Sequence, residues 1–425
     1  MIRTILSAFL IFSFAYGYDI DTLLDEALKE VEIESSEKYY NLALKLFNEG
    51  LYRQAVKNGE IFLDKNNADI KKLDNIVLLL AVSYFLTEKK DKLFNLFLQY
   101  YSSNISEDTR KKLFIYTNNL LVRKEDWKRL KILRSKGKAL FKHSKHSINL
   151  SGIFSQFEPG VNIFRLHIGN IIGENSIFFA RKNLTLIEIA KMLDMGYDEL
   201  KIANPHIDPF DIQKGEAVFV PRKRILPEKD FEFGTVYINL SEKRLYYPLI
   251  IDGEPYVITF PVGIGRDNAK SPIGQFKITQ KKENPEWVVP QSIREEDPTL
   301  PPVVPPGPDN PLGIRAMRLG YTEYLLHGTS KRFGIGMKVS HGCIRMYNKD
   351  VKRLFDIVKK GTKVFITEKN YKFFKDSRFY IEIFELKPDD KMEIIKLLKE
   401  KNIKLSPYLL QFYNREKRGY AIPLL

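Results

Sequence analysis

The residues best equipped for chemistry lie close together near the middle of the second half of the chain. The sequence has one cysteine, Cys343, and six histidines. Two of these, His327 and His341, share with Cys343 a seventeen-residue stretch that opens His327-Gly328 and closes Ser340-His341-Gly342-Cys343. A thiol attacks carbonyls as thiolate, and near neutral pH it needs help to ionise. An imidazole within hydrogen-bond reach can take that proton and later return it to a departing amine. The oxyanion that develops needs fixed N–H donors. A turn at Gly342-Cys343 can offer them, because glycine lets backbone approach a substrate closely. Two other chemistries use the same side chains. His327, His341 and Cys343 could hold a zinc ion with a water as fourth ligand, or Cys343 could be a small buried hydrophobe. A dithiol redox site is excluded by the single cysteine.

The residues around this stretch extend the pattern. Lys270-Ser271-Pro272-Ile273-Gly274-Gln275-Phe276, Trp287-Val288-Val289-Pro290, Pro301-Pro302, Asn310-Pro311-Leu312-Gly313 and Ala316-Met317-Arg318-Leu319 precede it, and Ile344-Arg345-Met346 comes after it. Together with His327 and Ser340-His341-Gly342-Cys343, they resemble the catalytic domain of the L,D-transpeptidase (YkuD-type) family over about 233–368, roughly a third of the chain. The resemblance implies Cys343 as nucleophile and His327 as proton donor and acceptor. It implies that Gly328 helps orient the imidazole and that His341 and Gly342 belong to the oxyanion-hole region. Ser340, Arg345, Trp287 and Met317 are expected to bind substrate. The implied reaction is acylation on the tetrapeptide stem of peptidoglycan, release of the terminal D-alanine and transfer to an amine, with no metal or cofactor. Water as acceptor would make the same site an L,D-carboxypeptidase, and a site that had lost its chemistry would leave a wall-binding scaffold. Some family members carry Asn near the position of Arg345, so any role of that Asn does not transfer.

The elements that must position these groups read as strands. Thr235–Leu240, Leu245–Tyr247, Tyr256–Val262, Gln275–Thr279 and Lys363–Thr367 alternate apolar and polar residues. One amphipathic helix is expected over Lys349–Lys360, capped by Asn348, with Val351, Leu354, Phe355 and Val358 on its apolar face and Gly361 ending it.

Upstream, residues 147–228 have a strand–helix–helix–strand order. Leu184, Ile189, Ala190, Tyr197, Leu200, Ala203-Asn204-Pro205, Asp208-Pro209, Gly215 and Val220-Pro221 resemble a LysM module, which implies contact with peptidoglycan glycan. The competing reading is a packing spacer without a sugar site. Residues 18–142 lack proline and repeat apolar residues at helical spacing. Ala43–Ala55 resembles a tetratricopeptide unit with a weaker echo at Ala81–Leu86. This implies a protein partner, unless the helices form a plain bundle. His143 and His146 are three apart, but no acidic or Cys partner lies near them, so they read as solvated.

The expected architecture is therefore multidomain: an all-α helical-repeat region, a small α/β LysM-like module, a β-rich L,D-transpeptidase domain at 233–368, and a short α/β C-terminal extension at 369–425. Arg3, the apolar Ile5–Phe14 and Ala15-Tyr16-Gly17 have the layout of a secretory signal peptide over residues 1–17. The net charge of +15 is compatible with an anionic envelope. Export to a bacterial periplasm or envelope argues against nucleic acid as a partner.

Overall fold

A computed structural model of the chain describes residues 36–65, 70–141, 150–166, 169–227, 231–331, 333–375, 378–403 and 405–424. The expected signal segment and the His143/His146 pair lie outside the described residues. The chain divides into two compact units, Met1–Gly137 and Lys138–Leu425.

The first unit is helical where it is described, with helices over 36–48, Tyr52–Asp64, Ile70–Leu86, Lys90–Tyr100, Glu107–Arg123 and Trp127–Lys136. Ile70–Leu86 forms its centre, with Ile76 to Val82 buried, and packs against the helices on either side. Gly59 permits the close approach of Tyr52–Asp64, since a β-carbon there would lie 3.2 Å from Leu80 Cδ2. The Ser106 hydroxyl caps Glu107–Arg123 by accepting the Thr109 N–H. Asp74 accepts from the Ser106 N–H and the Thr109 hydroxyl, each at 2.8 Å, which ties the cap to the central helix.

The second unit is built on a nine-stranded sheet. Its strands are β1 (Ile163–Arg165), β2 (Val236–Asn239), β3 (Arg244–Ile251), β4 (Glu254–Pro261), β5 (Gly274–Glu283), β6 (Arg315–Leu319), β7 (Leu325–His327), β8 (Ile344–Arg345) and β9 (Lys363–Thr367), in the spatial order β1-β4-β3-β2-β9-β5-β6-β7-β8. β2/β9 and β7/β8 are parallel and the other pairs antiparallel. Each expected strand is present. β1 belongs to this sheet although it falls within the range that reads as the LysM-like module, so the stretch 147–228 does not stand apart from the large sheet.

Both faces of the sheet are covered, as its long apolar runs require. One face packs Ile238, Leu245, Ile258, Ile278, Met317, Leu326, Ile344 and Ile366 against Val351 and Leu354. The other buries Phe164, Ile172, Leu226, Tyr246 and Val257. The helix that supplies Val351 and Leu354 runs Asn348–Ile357, shorter than expected. Tyr347, not Asn348, occupies its cap position, and Val358 is already extended. Asn348 is drawn elsewhere because its side chain serves the neighbouring strand loop.

Residues 176–220 adopt the expected order: strand Ser176–Phe179 pairs antiparallel with Ala217–Val220, and helices Leu186–Met192 and Tyr197–Ala203 lie between. The C-terminal stretch forms a three-stranded sheet, Tyr371–Lys375, Phe379–Ile383 and Ile422–Pro423, with helices Pro388–Glu400 and Pro407–Glu416. A buried ionic network joins these parts to the large sheet. Arg244 on β3 grips Glu199 at 2.5 and 2.8 Å. Lys372 reaches Glu242 and Glu382, each at 3.0 Å, and Glu382 accepts the Ile225 N–H at 2.7 Å. Burial opposes ionisation of Glu199, but Arg224 and Arg244 outweigh it and hold the carboxyl down at about 2.

Candidate active site

β7 and β8 place the two principal groups. Their parallel register sets Leu326 against Ile344 and His327 against Arg345. Leu326 and Ile344 enter the core, so the alternation of side chains turns His327, Cys343 and Arg345 to the opposite face. Cys343 opens into a cleft of about 520 Å³ that is also lined by His341, Trp287, Arg318, Glu323, Tyr324 and Leu325.

His327 is buried, at 3% exposure. Its Nδ1 lies 2.6 Å from the Gly328 carbonyl oxygen. A carbonyl can only accept, so Nδ1 carries the hydrogen of the neutral ring. Burial lowers the imidazole pKa to about 4, helped by the Arg345 charge and opposed by the Gly328 and Leu312 carbonyls. The ring is therefore neutral near pH 7. Burial likewise pushes the Cys343 thiol above its usual range. The Leu325 backbone, Arg345 and Arg318 favour the thiolate, and Glu323 disfavours it. Sγ is 4.0 Å from the Glu323 carbonyl, where the thiol can donate. At rest the pair is neutral thiol and neutral imidazole.

The turn that carries the thiol is braced from within. The Ser340 hydroxyl donates to the Cys343 carbonyl at 2.6 Å and accepts the Gly342 N–H at 3.1 Å. Ser340 is almost fully buried, so it supports the turn instead of facing a ligand. The Gly342 amide, expected among the oxyanion donors, is already committed to Ser340. Gly342 itself adopts φ +99°, and a β-carbon there would strike Tyr324 Cε1 at 2.5 Å.

His341 Nε2 donates to Glu296 Oε2 at 3.0 Å. Glu296 also pairs with Arg266 at 2.6 and 2.7 Å. Hydrogen bonds from Arg266 and then His341 lower the Glu296 pKa. Glu296 closes the short helix Gln291–Glu296, so this contact fastens the segment that bears Trp287 over the cleft.

The other expected binding residues divide. Trp287 lines the cleft. Met317 does not: it is fully buried in the core, because it points to the face opposite Ala316 and Arg318, which do line the cleft. Arg345 stands beside His327 and Cys343 but is not among the lining residues. Among the described residues no three His, Cys, Asp or Glu side chains form a group able to hold a metal.

Residue type and spacing do not mark Asn348 or Arg318 as members of the site. The Asn348 side-chain oxygen accepts the Thr329 N–H at 3.1 Å and the Ile314 N–H at 3.4 Å, immediately after His327-Gly328. A β-carbon on Gly313 or Gly328 would collide with that oxygen. The paired glycines around an asparagine are the available signal.

Residues 234–366 match the family model of the YkuD L,D-transpeptidase catalytic domain. "Probable L,D-transpeptidase YbiS" of Escherichia coli (strain K12) is 38% identical over 206 residues, 47% of this chain and 66% of that protein. "Probable L,D-transpeptidase ErfK/SrfK" of Salmonella typhimurium is 38% identical over 207 residues, 47% of this chain and 65% of that protein. The chain thus spans just under two thirds of the length of these two relatives. YqjB of Bacillus subtilis (strain 168), which also carries the L,D-transpeptidase name, is 32% identical over 145 residues, 33% of this chain and 76% of YqjB. With three quarters of that relative matched and the catalytic-domain model satisfied around Cys343, the chain belongs to the L,D-transpeptidase family.

Proposed function

We propose that the protein is a cysteine-dependent L,D-transpeptidase acting on the stem peptides of peptidoglycan. The observation that carries this reading is the single thiol, Cys343, open to a cleft, with a buried histidine, His327, on the strand paired with the one that Cys343 leads into and oriented through Nδ1 by the Gly328 carbonyl. His327 takes the thiol proton as Sγ attacks the carbonyl that joins the third stem residue to the terminal D-alanine. The Cys343 amide is the backbone donor for the oxyanion in this reading, because the Gly342 amide is spent on Ser340. Collapse breaks the amide bond, and His327 returns the proton to the departing D-alanine amine, leaving a thioester on Cys343. An acceptor amine then gives up a proton to His327 and attacks the thioester, and the thiol is restored. The acceptor amine belongs to another stem, an attached protein or a free D-amino acid. Water at this step would give L,D-carboxypeptidase activity.

The other parts of the chain fit around this reaction. The LysM-like stretch 147–228 acts as a glycan contact. Phe210, 80% exposed, supports this, because it lines a groove of about 820 Å³ with Thr185, Tyr197 and Phe333. The helical first unit serves as a protein contact, and residues 1–17 direct export to the envelope. Among the described residues no helix is long and apolar enough to cross a membrane.

The test is the intact mass of the protein after incubation with a disaccharide-tetrapeptide, beside Cys343→Ala. The expected result is a substrate-derived adduct on the wild type alone, with release of D-alanine. An adduct on the Cys343→Ala protein, or none on the wild type under any acceptor condition, would overturn the assignment.

A further inference from the structure

Arg318 lies in the cleft and, among the described residues, no carboxylate pairs with it. It lies on β6, where Met317 and Leu319 point into the core and Ala316 and Arg318 face the cleft that holds Cys343. Two neutral acceptors fix its guanidinium: Nε donates to Gln280 Oε1 at 3.2 Å and Nη1 to the Thr322 carbonyl at 2.7 Å. Among the described residues no Asp or Glu forms an ion pair with it, and no acceptor takes Nη2. Glu323 and Glu286 line the same cleft and leave it unpaired. Its charge is close enough to Cys343 to favour the thiolate. A guanidinium held in one orientation with donors to spare is suited to a planar carboxylate, which it can meet through two parallel N–H bonds.

We infer that Arg318 is a specificity residue that binds the free carboxylate of the leaving residue on the donor peptide. This inference rests on the acyl-transfer reading above. In that reading the terminal residue contributes the departing amine. Its carboxylate lies within one residue repeat, about 3.8 Å along the chain, of the bond that breaks. A cation in the wall beside the nucleophile meets that carboxylate while the scissile carbonyl faces Sγ. The side-chain carboxylate of a diamino third residue offers the same chemistry on the acyl side, and the test separates the two. Arg318 would then measure the donor's length: a stem ending one residue later places its carboxylate out of register.

The experiment tracks acylation of Cys343 by intact mass and D-alanine release for three donors: the free-acid tetrapeptide, its terminal amide, and the peptide amidated only on the third-residue side chain. Wild type, Arg318→Gln and Arg318→Lys are compared. We expect the terminal amide to lose roughly 10- to 100-fold in kcat/KM on the wild type, the worth of one charge-assisted pair. The loss should fall mainly on KM, since the carboxylate is bound before and during the reaction. Arg318→Gln should show a similar loss on the free acid and no further discrimination against the amide, and Arg318→Lys should recover part of both. A merely structural role for Arg318 would lower rates on all donors alike and keep the discrimination. Undiminished use of the terminal amide by the wild type overturns the inference, as does sensitivity only to side-chain amidation. No adduct with any donor would instead sink the acyl-transfer reading, and the inference with it.

Discussion

Gly342 lies against the ring of Tyr324 so closely that a β-carbon on it would stand 2.5 Å from Cε1. The contact seals the underside of the turn that lifts Cys343 into the cleft. Two constraints meet at this one position, the ring and the φ of +99°. Gly342→Ala is expected to destabilise the protein by about 1–3 kcal/mol and to abolish acylation of Cys343. Cutting Tyr324 back to Ala in the same chain relieves the clash but not the dihedral angle, so stability should recover in part and acylation should not. Thermal unfolding and intact mass check both. A Gly342→Ala protein of wild-type stability and reactivity would show that the turn is not held as described.

The resting state predicts a pH dependence. His327 titrates at about 4 in the folded protein, below the ordinary imidazole value. Between the two values the unfolded chain binds a proton that the folded chain does not. Folding stability should therefore fall as pH falls from about 6.5 towards 4, by about 3 kcal/mol if His327 acted alone. In His327→Gln that component of the slope should vanish. The raised thiol pKa has its own signature: alkylation of Cys343 by iodoacetamide should accelerate continuously from neutral to alkaline pH. A plateau at neutral pH would mean a preformed thiolate–imidazolium pair.

Asn348 separates positioning from chemistry. Its side-chain oxygen holds the backbone just beyond His327-Gly328 through Thr329 and Ile314. Asn348→Ala leaves those donors unsatisfied and should cost about 1–3 kcal/mol. It should also slow acylation, because the carbonyl that orients His327 is no longer anchored. Asn348→Asp keeps the acceptor and should restore most of the rate. Equal loss in both variants would show that the hydrogen bonds are not the reason.

Lys372 tests whether the C-terminal stretch belongs to the catalytic body. It is buried between Glu242, beside the large sheet, and Glu382 in the C-terminal sheet. Lys372→Met leaves Arg224 as the remaining cation beside the buried Glu242 and Glu382, and should destabilise the whole second unit by roughly 3–5 kcal/mol. Lys372→Met with Glu242→Gln and Glu382→Gln should recover much of that. Calorimetry should show a single transition for residues 138–425 moving in each case. Independent melting of residues 369–425 would sink the prediction.

The chemistry-bearing types, their order along the chain and most of the strands are legible in the primary structure. Cys343 is the one thiol, the alternation of β2 to β5 and β9 is local, and the family pattern around Ser340-His341-Gly342-Cys343 is contiguous. Which face each side chain takes, and which polar group is already engaged, emerges from the fold. Met317 and Arg318 are adjacent in sequence, yet one fills the core and the other faces the cleft, because the pairing register of β6 assigns the faces. Asn348 has the composition of a helix cap, but a nearby strand loop presents N–H groups that compete for its oxygen. The Gly342 amide looks free in the sequence and is taken by Ser340 in the fold. The pairing of Lys372 with Glu242 joins residues 130 positions apart, and no local pattern reports it. Local propensity depends on neighbours in the chain, whereas burial, register and hydrogen-bond competition depend on neighbours in space.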